Sequence, residues 1–444
     1  MNGKCYMLRR VPKRNRLSAF DRDKLIRHSL IVFLFTHTVS FANMLFQMVM
    51  RWNLPVAEYG VLYSMLQLTS AVAMPMSAVQ NTLAHFTGNL VREGKPGHIR
   101  GLARQWINRI LPAGIILLLL TVILRNYFAA FFNLATFWPL VPAALTLFVS
   151  GFTPIFSGVL QGKQAFVLMG FPGLAFGFLR LGLGCVFLFL LAPTALYGLA
   201  ANAIGALASA ALAYVFYHRS LPQSEQADQA PPERSGRYFW ASVAALSGFS
   251  ILMNMDVVLV QHYFKNPADS GNYASASMIA RTLVFLIQPI ASAMFPKVSS
   301  RGAATNEQKF TFFKSLALSG LIIAAAVLLC ALFPQIPLLI LCHEKAPSPQ
   351  MIALVRLVCW AMAPLGLVFM LMNFELAQHR LACVFPLTLC AIAFLGGVAL
   401  FHNSLHQVVT VFLTVSLAAL AMLVIISFRK TVGDPAVDKR GQAC

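Results

Sequence analysis

Charged residues are scarce in this chain: only 11% of its 444 residues are Asp, Glu, Lys or Arg, and only 14 are acidic. Soluble domains carry about 25%, so an ordinary water-exposed globular fold is excluded. The eight cysteines show no CxxC spacing and lie mostly within apolar stretches. That excludes a disulfide framework and a structural zinc site. There is no glycine-rich phosphate loop, nucleophile motif or metal-ligand spacing. Nothing therefore predicts ATP hydrolysis, a cofactor, a metal or an enzyme. Long polar loops between apolar stretches are also missing, which leaves little room for a site outside the apolar body.

What the chain does have is apolar length. Hydrophobic residues make up 58%, and mean hydropathy is +0.72. They fall in twelve runs, at 28–52, 58–81, 107–131, 136–160, 165–191, 194–217, 237–264, 271–296, 312–334, 350–376, 380–402 and 405–428. About 20 apolar residues cross the hydrocarbon of a bilayer. The expected fold is an all-α polytopic membrane protein of about twelve transmembrane helices. The first run is too long for a cleavable signal and reads as a retained helix.

The net charge of +20 would suggest nucleic acid in a soluble protein, but its placement argues otherwise. Arg51, Arg125, Lys265 and Lys345 lie at alternate turns, and Arg180, Arg281 and Arg356 lie inside runs; the other basic residues fall in the remaining gaps and at the two termini. This asymmetry predicts that both termini are cytoplasmic and that the partners are anionic lipids, not nucleic acid. Trp52, Trp106, Trp138 and Trp240 sit at run ends, where indoles favour the headgroup layer. Trp360 lies about ten residues inside its run and is expected to pack in the bundle or line a cavity.

The runs divide the chain. A basic segment, 1–27, reads either as a short interfacial helix or as a disordered tail. Six runs fill 28–217, a Pro-, Ser- and Gln-rich linker occupies 218–236, six more runs fill 237–428, and a tail covers 429–444. The halves look like diverged copies. Glu58-Tyr59-Gly60 opens a run carrying Pro75, and Gly271-Asn272-Tyr273 opens one carrying Pro289. Copies with an even number of spans run parallel, related by a pseudo-twofold axis along the membrane normal. Transporters use such repeats to rock two bundles around a central site.

Asp256-Val-Val-Leu-Val-Gln-His-Tyr-Phe264, Ser270-Gly-Asn-Tyr-Ala-Ser-Ala-Ser277 and Met294-Phe-Pro-Lys297 resemble the seventh and eighth helices of polysaccharide-export flippases. These form the Wzx-like branch of the multidrug/oligosaccharidyl-lipid/polysaccharide (MOP) superfamily. Glu58-Tyr-Gly-Val-Leu-Tyr-Ser64 and Gly158-Val-Leu-Gln-Gly-Lys163 resemble the same branch. The resemblance implies two six-helix lobes around a V-shaped central cavity in a bacterial inner membrane. It also implies a polyprenyl-pyrophosphate-linked glycan as substrate, no bond chemistry, and glycan-assembly proteins as partners. The alternative is a MATE-like proton- or sodium-coupled multidrug antiporter. That branch needs membrane-embedded carboxylates, and the amino-terminal half has none inside a run; Asp256 keeps the alternative open.

An ionised group at a span centre costs roughly 2.5–3.5 kcal/mol, so buried charges are expected to pair or to face water. Asp256 and Arg281 flank one outer turn at about the same depth. They form either a structural ion pair or a cavity pair that opens for the anionic headgroup. Arg180 sits in a glycine-rich run, about twelve residues from the next outer turn, and is too deep to snorkel; Gly173 and Gly177 are spaced for close helix packing. Asn43 and Gln67 are the repeat counterparts of Asp256 and Arg281, suited to sugar hydroxyls or to interhelical hydrogen bonds. Arg356 is nearer its outer end, where snorkelling explains it best, and it completes the candidate cavity set. Glu375, near a cytoplasmic end, is expected to be solvated or to pair with Arg380.

Overall fold

The computed structural model describes residues 19–95, 97–221, 236–299, 305–378 and 380–432. Helices α1 (Ala19–Asn53) and α2 (Val56–Arg92) form a hairpin, and α3 (His98–Ile123) runs into the short α4 (Arg125–Phe131). Helices α5 (Leu140–Ser150) and α6 (Thr153–Gly162) together make one span, followed by α7 (Phe166–Leu190) and α8 (Ala195–Ser220). The second half repeats this rhythm: α9 (Arg237–Tyr263), α10 (Pro267–Ser299), α11 (Thr305–Leu332), the short α12 (Gln335–Cys342), α13 (Pro349–Ala377), α14 (Val384–Leu400) and α15 (Leu405–Val432). Among the described residues there is no strand.

Nine of these helical segments are long and apolar enough to cross a membrane, and α14 is a shorter apolar helix. Helices α2 and α10, at 37 and 33 residues, are the other two long ones and carry a dense polar content. Leu119, Ile123, Phe189, Leu190, Leu321 and Leu400 lie exposed on the outside. An aqueous fold would bury such a surface, whereas a bilayer solvates it. The chain is a multi-pass membrane protein.

The element boundaries differ from the run pattern in three places. Helix α1 starts at Ala19 and continues unbroken through the first span, so no separate interfacial helix occupies 19–27; residues 1–18, most of the linker and the end of the tail lie outside the described residues. The run at 136–160 is two helices, because Pro154 at the start of α6 cannot donate a backbone N–H into a continuous ladder. The runs at 107–131 and 312–334 merge or abut a span and a short helix, since α4 and α12 fold within the connections.

The tryptophans divide. Trp52, Trp138 and Trp240 are exposed as expected, but Trp106 is buried, with its ring edge-on to Phe239 at 5.4 Å. Trp360 is 54% exposed, so it does not pack in the bundle core.

The two halves pack along α2 and α9, where Ser250 Oγ donates to the Ala71 carbonyl at 3.0 Å, and Trp106 meets Phe239 towards the end where α3 and α9 begin. They also meet at the end that carries the short interhelical turns. Gly60 opens α2 and Gly271 opens α10, and the two backbones touch: a Cβ on Gly60 would lie 2.9 Å from the Gly271 nitrogen. Around this contact each half reaches across to the other. From the α4 connection, Asn133 Nδ2 donates to the carbonyls of Gln261 and His262 at 2.7 and 3.0 Å, and Gln261 Nε2 donates back to Phe132 at 2.8 Å. From the α12 connection, the Leu341 carbonyl accepts from Trp52 Nε1 at 3.0 Å, and Glu344 pairs with Arg51 at 3.2 Å. The first half's third connection thus holds the end of the seventh span, and the second half's equivalent connection holds the end of the first.

Candidate functional site

Arg180 lies in α7, which packs on α1 through a face of small residues. A Cβ on Gly173 would sit 3.4 Å from Val39, and one on Gly177 3.2 Å from Ala42. On its other side α8 comes close at Gly205, 3.3 Å from the Arg180 Cβ by the same measure. The guanidinium is thereby enclosed, and the residue is 6% exposed. Nη1 donates to Asn43 Oδ1 at 3.1 Å. The guanidinium carbon lies 4.0 Å from the Phe46 ring centre and 5.6 Å from that of Phe176. Nε and Nη2 have no partner, and one turn along α1 from Asn43 the Gln47 Oε1 is also unpartnered. A desolvated cation–π contact contributes about 2 kcal/mol, while burying a charge costs several kcal/mol. No carboxylate among the described residues closes the gap, so the site holds excess positive charge beside polar groups with spare hydrogen-bonding capacity.

Arg281 is the opposite case. It is 2% exposed, and Asp256 is fully buried beside it. The guanidinium pairs with Asp256 Oδ1, donates to the Met253 carbonyl from Nε at 2.9 Å and from Nη2 at 2.7 Å, and reaches Ser277 and, at 3.4 Å, the Tyr63 hydroxyl from Nη1. All five donors of an arginine are in use. Asp256 Oδ2 accepts from Tyr273 at 3.2 Å and from Ser277 at 3.0 Å. The Asp256–Arg281 pair is dry, complete and tied to α2 through Tyr63. In this conformation it offers a headgroup no free donor.

The other candidates scatter. Asn43 bonds to Arg180, not to its repeat partner. Gln67 is buried on α2, one turn from Tyr63. Arg356 is exposed on α13, one turn from exposed Trp360, and the structure does not bring it to Arg180 or Arg281. Glu375 is buried and accepts from Ser427 at 3.0 Å, so it is not solvated. Sequence reasoning missed Tyr63, Tyr273 and Ser277 around the ion pair; the four-residue spacing of Ser277 and Arg281 on one helix face was the available signal. It also missed the Arg51–Glu344 contact, because Arg51 was read only as a charge at a turn.

These features define a class: a helical membrane protein of two similar halves that holds a buried arginine between helices. Comparison with known proteins agrees. The profile of the family described as Polysaccharide biosynthesis protein matches residues 104–302. An inward-facing multidrug resistance MATE family transporter of the MOP superfamily superposes with a TM-score of 0.70 at 11% identity, over 91% of this chain and 100% of that one. An outward-facing MATE transporter of the superfamily gives 0.58 at 13%, over 91% and 94%. A MATE protein in the straight conformation gives 0.62 at 13%, over 90% and 93%. No curated protein matches the sequence. The chain has the fold of these transporters, and the family model matches the polysaccharide-biosynthesis resemblance over residues 104–302.

Proposed function

We propose that this protein moves an anionic, lipid-linked saccharide precursor across the membrane by alternating access between its halves. The observation that carries this reading is Arg180, a buried guanidinium with a single hydrogen bond and no carboxylate. A phosphate or pyrophosphate would supply the missing charge and accept from the idle Nε and Nη2. Asn43 and Gln47 are suited to the oxygens of the phosphate–sugar linkage. The lipid tail would stay in the bilayer beside α1, whose flank at Phe33, Leu34 and Phe41 is exposed.

The contacts at the short-turn end support reading this structure as the state closed on that side. With both termini cytoplasmic, that side is the outer one. The higher TM-score against the inward-facing transporter than against the outward-facing one is in keeping with this. Release would require breaking the Arg51–Glu344 and Asn133–Gln261 contacts while the Asp256–Arg281 pair keeps α9 and α10 together. Glycan-assembly enzymes would supply the substrate.

A second reading, a MATE-like drug antiporter, is favoured by the multidrug transporters of the same fold. Against it, the Asp256 carboxylate has both oxygens engaged, one by an arginine. The two readings separate in vesicles reconstituted with the purified protein. Movement of a polyprenyl-pyrophosphate-linked oligosaccharide, scored by exposure of its labelled sugar, supports the first. Proton-coupled uptake of a cationic dye with no lipid movement establishes the second.

A further inference from the structure

A second cationic site lies at the opposite end of the bundle, where α1 begins and α15 ends. There α2, α6 and the turn into α7 bound an open cavity of about 540 Å³, whose wall includes His85, Asn89 and Arg92 of α2 and Lys163 and Gln164 of the turn. No Asp or Glu is in that wall.

The chain builds this cavity deliberately close to the backbone. A Cβ on Gly158 or Gly162 would come 2.6 Å from the carbonyl oxygen of Gln80 or Ala84, so α6 lies directly on α2. Gln80 and Gln161 bond across that contact at 3.0 Å. The chain then turns at Gln164 with φ of 59°, a left-handed conformation uncommon for a residue with a Cβ. This turn holds Lys163 against the face of α2 that carries His85 and Arg92.

His85 and Arg92 lie on α2 beyond Pro75, towards the opposite end of that helix from Tyr63. Tyr63 is buried, whereas Asn81, His85 and Arg92 are exposed. The cations there have neutral partners: Arg92 donates to Asn89, and Lys163 donates to the Ser220 carbonyl. Burial pushes the Lys163 ammonium below its usual pKa, the mark of a charge short of compensation. The neighbouring carboxylate, Glu93, pairs with Lys95 at 3.4 Å.

We infer that this cavity binds a phosphate-bearing anion, gripped by Arg92 and Lys163 with His85 and Asn89 as further donors. An arginine fork and a lysine point charge together suit adjacent phosphate oxygens. Arg180 lies 14 residues into α7, about 21 Å along the helix at its usual rise. The cavity is therefore a site separate from Arg180. The anion is the diphosphate of the lipid-linked substrate or the headgroup of an anionic phospholipid; only the first identification rests on the proposed transport.

The test is titration of full-length protein in phosphatidylcholine nanodiscs with inorganic pyrophosphate. Saturable binding is expected, weakened at least tenfold in Arg92→Gln/Lys163→Gln and retained in the charge-preserving Arg92→Lys/Lys163→Arg. Thermal unfolding of both variants should match the parent. No saturable binding, or equal affinity in the neutralised variant, overturns the inference. So does binding lost in Arg180→Gln but kept in the neutralised variant, which would put the anion at the deeper site. Repeating the titration with phosphatidylglycerol in the nanodisc identifies the source: abolished binding means a lipid headgroup, and undiminished binding means a diphosphate. If the site binds pyrophosphate while vesicles show no movement of lipid-linked saccharide, the transport reading fails and the site stands.

Discussion

Gly60 and Gly271 bring the backbones of α2 and α10 into contact where the two halves meet. A Cβ on Gly271 would fall inside the van der Waals envelope of the Val56 carbonyl, and one on Gly60 would lie 3.1 Å from the Gly271 Cα. The residues occupy matching places, each in the first turns of the second helix of its half. Around them the α4 and α12 connections reach across reciprocally. Each connection carries a residue with a left-handed backbone, Asn133 at φ 50° and His343 at φ 57°. The closed end is thus built by pairs of equivalent parts.

Replacing Gly271 with valine should prop this end open. Overpacking costs typically ~1–3 kcal/mol, and each 1.4 kcal/mol is about tenfold in a two-state population. Ser275 is fully buried and bonded to Arg51 at 2.6 Å in the closed arrangement. A Ser275→Cys reporter should react with a membrane-impermeant thiol reagent at least tenfold faster in the Gly271→Val background. Unchanged labelling would show that this contact does not set the closed state.

The Arg51–Glu344 pair should couple the halves. Its side chains are 9% and 30% exposed, so screening reduces its strength and a coupling of about 1 kcal/mol is expected. A double-mutant cycle of Arg51→Gln and Glu344→Gln, read by the same labelling assay, measures it. Additive single effects would mean that the pair contributes nothing to closure.

Asp256→Asn should destabilise the folded protein by about 3–5 kcal/mol, the cost of stranding a buried arginine. Adding Arg281→Met should recover most of the loss, measured as thermal unfolding in detergent. If Asp256→Asn is as stable as the parent but arrests transport only under a proton gradient, the carboxylate is a proton carrier and the structural role assigned here is wrong.

Arg356→Ala should leave both stability and transport close to the parent. The residue is exposed, and surface changes away from special features usually stay within about 0.5 kcal/mol. A clear loss of transport in vesicles would return Arg356 to the substrate path.

The helices and the depth of Asp256 and Arg281 were legible because bilayer thickness fixes span length and a hairpin places equidistant residues at one level. Contacts between distant helices were not. Repeat logic matched Asn43 with Gln67, whereas the glycine face of α7 brings α1 across to give Asn43 to Arg180. Nothing in the local pattern of α1 announces that neighbour. The short helices α4 and α12 were hidden because their apolar residues continue or adjoin the preceding runs, and hydropathy alone does not separate a span from a cap. The motif Gly158–Lys163 was visible as a resemblance, but its packing role needed α2 beside it.

Arg180 carries the central claim, and its substitution in reconstituted vesicles tests that claim most directly. With a polyprenyl-pyrophosphate-linked oligosaccharide as cargo, the account predicts translocation by the parent protein. It predicts a rate at least tenfold lower in Arg180→Gln, about 1.4 kcal/mol or more of lost interaction, with thermal unfolding unchanged or raised. Translocation by Arg180→Gln at the parental rate would contradict it.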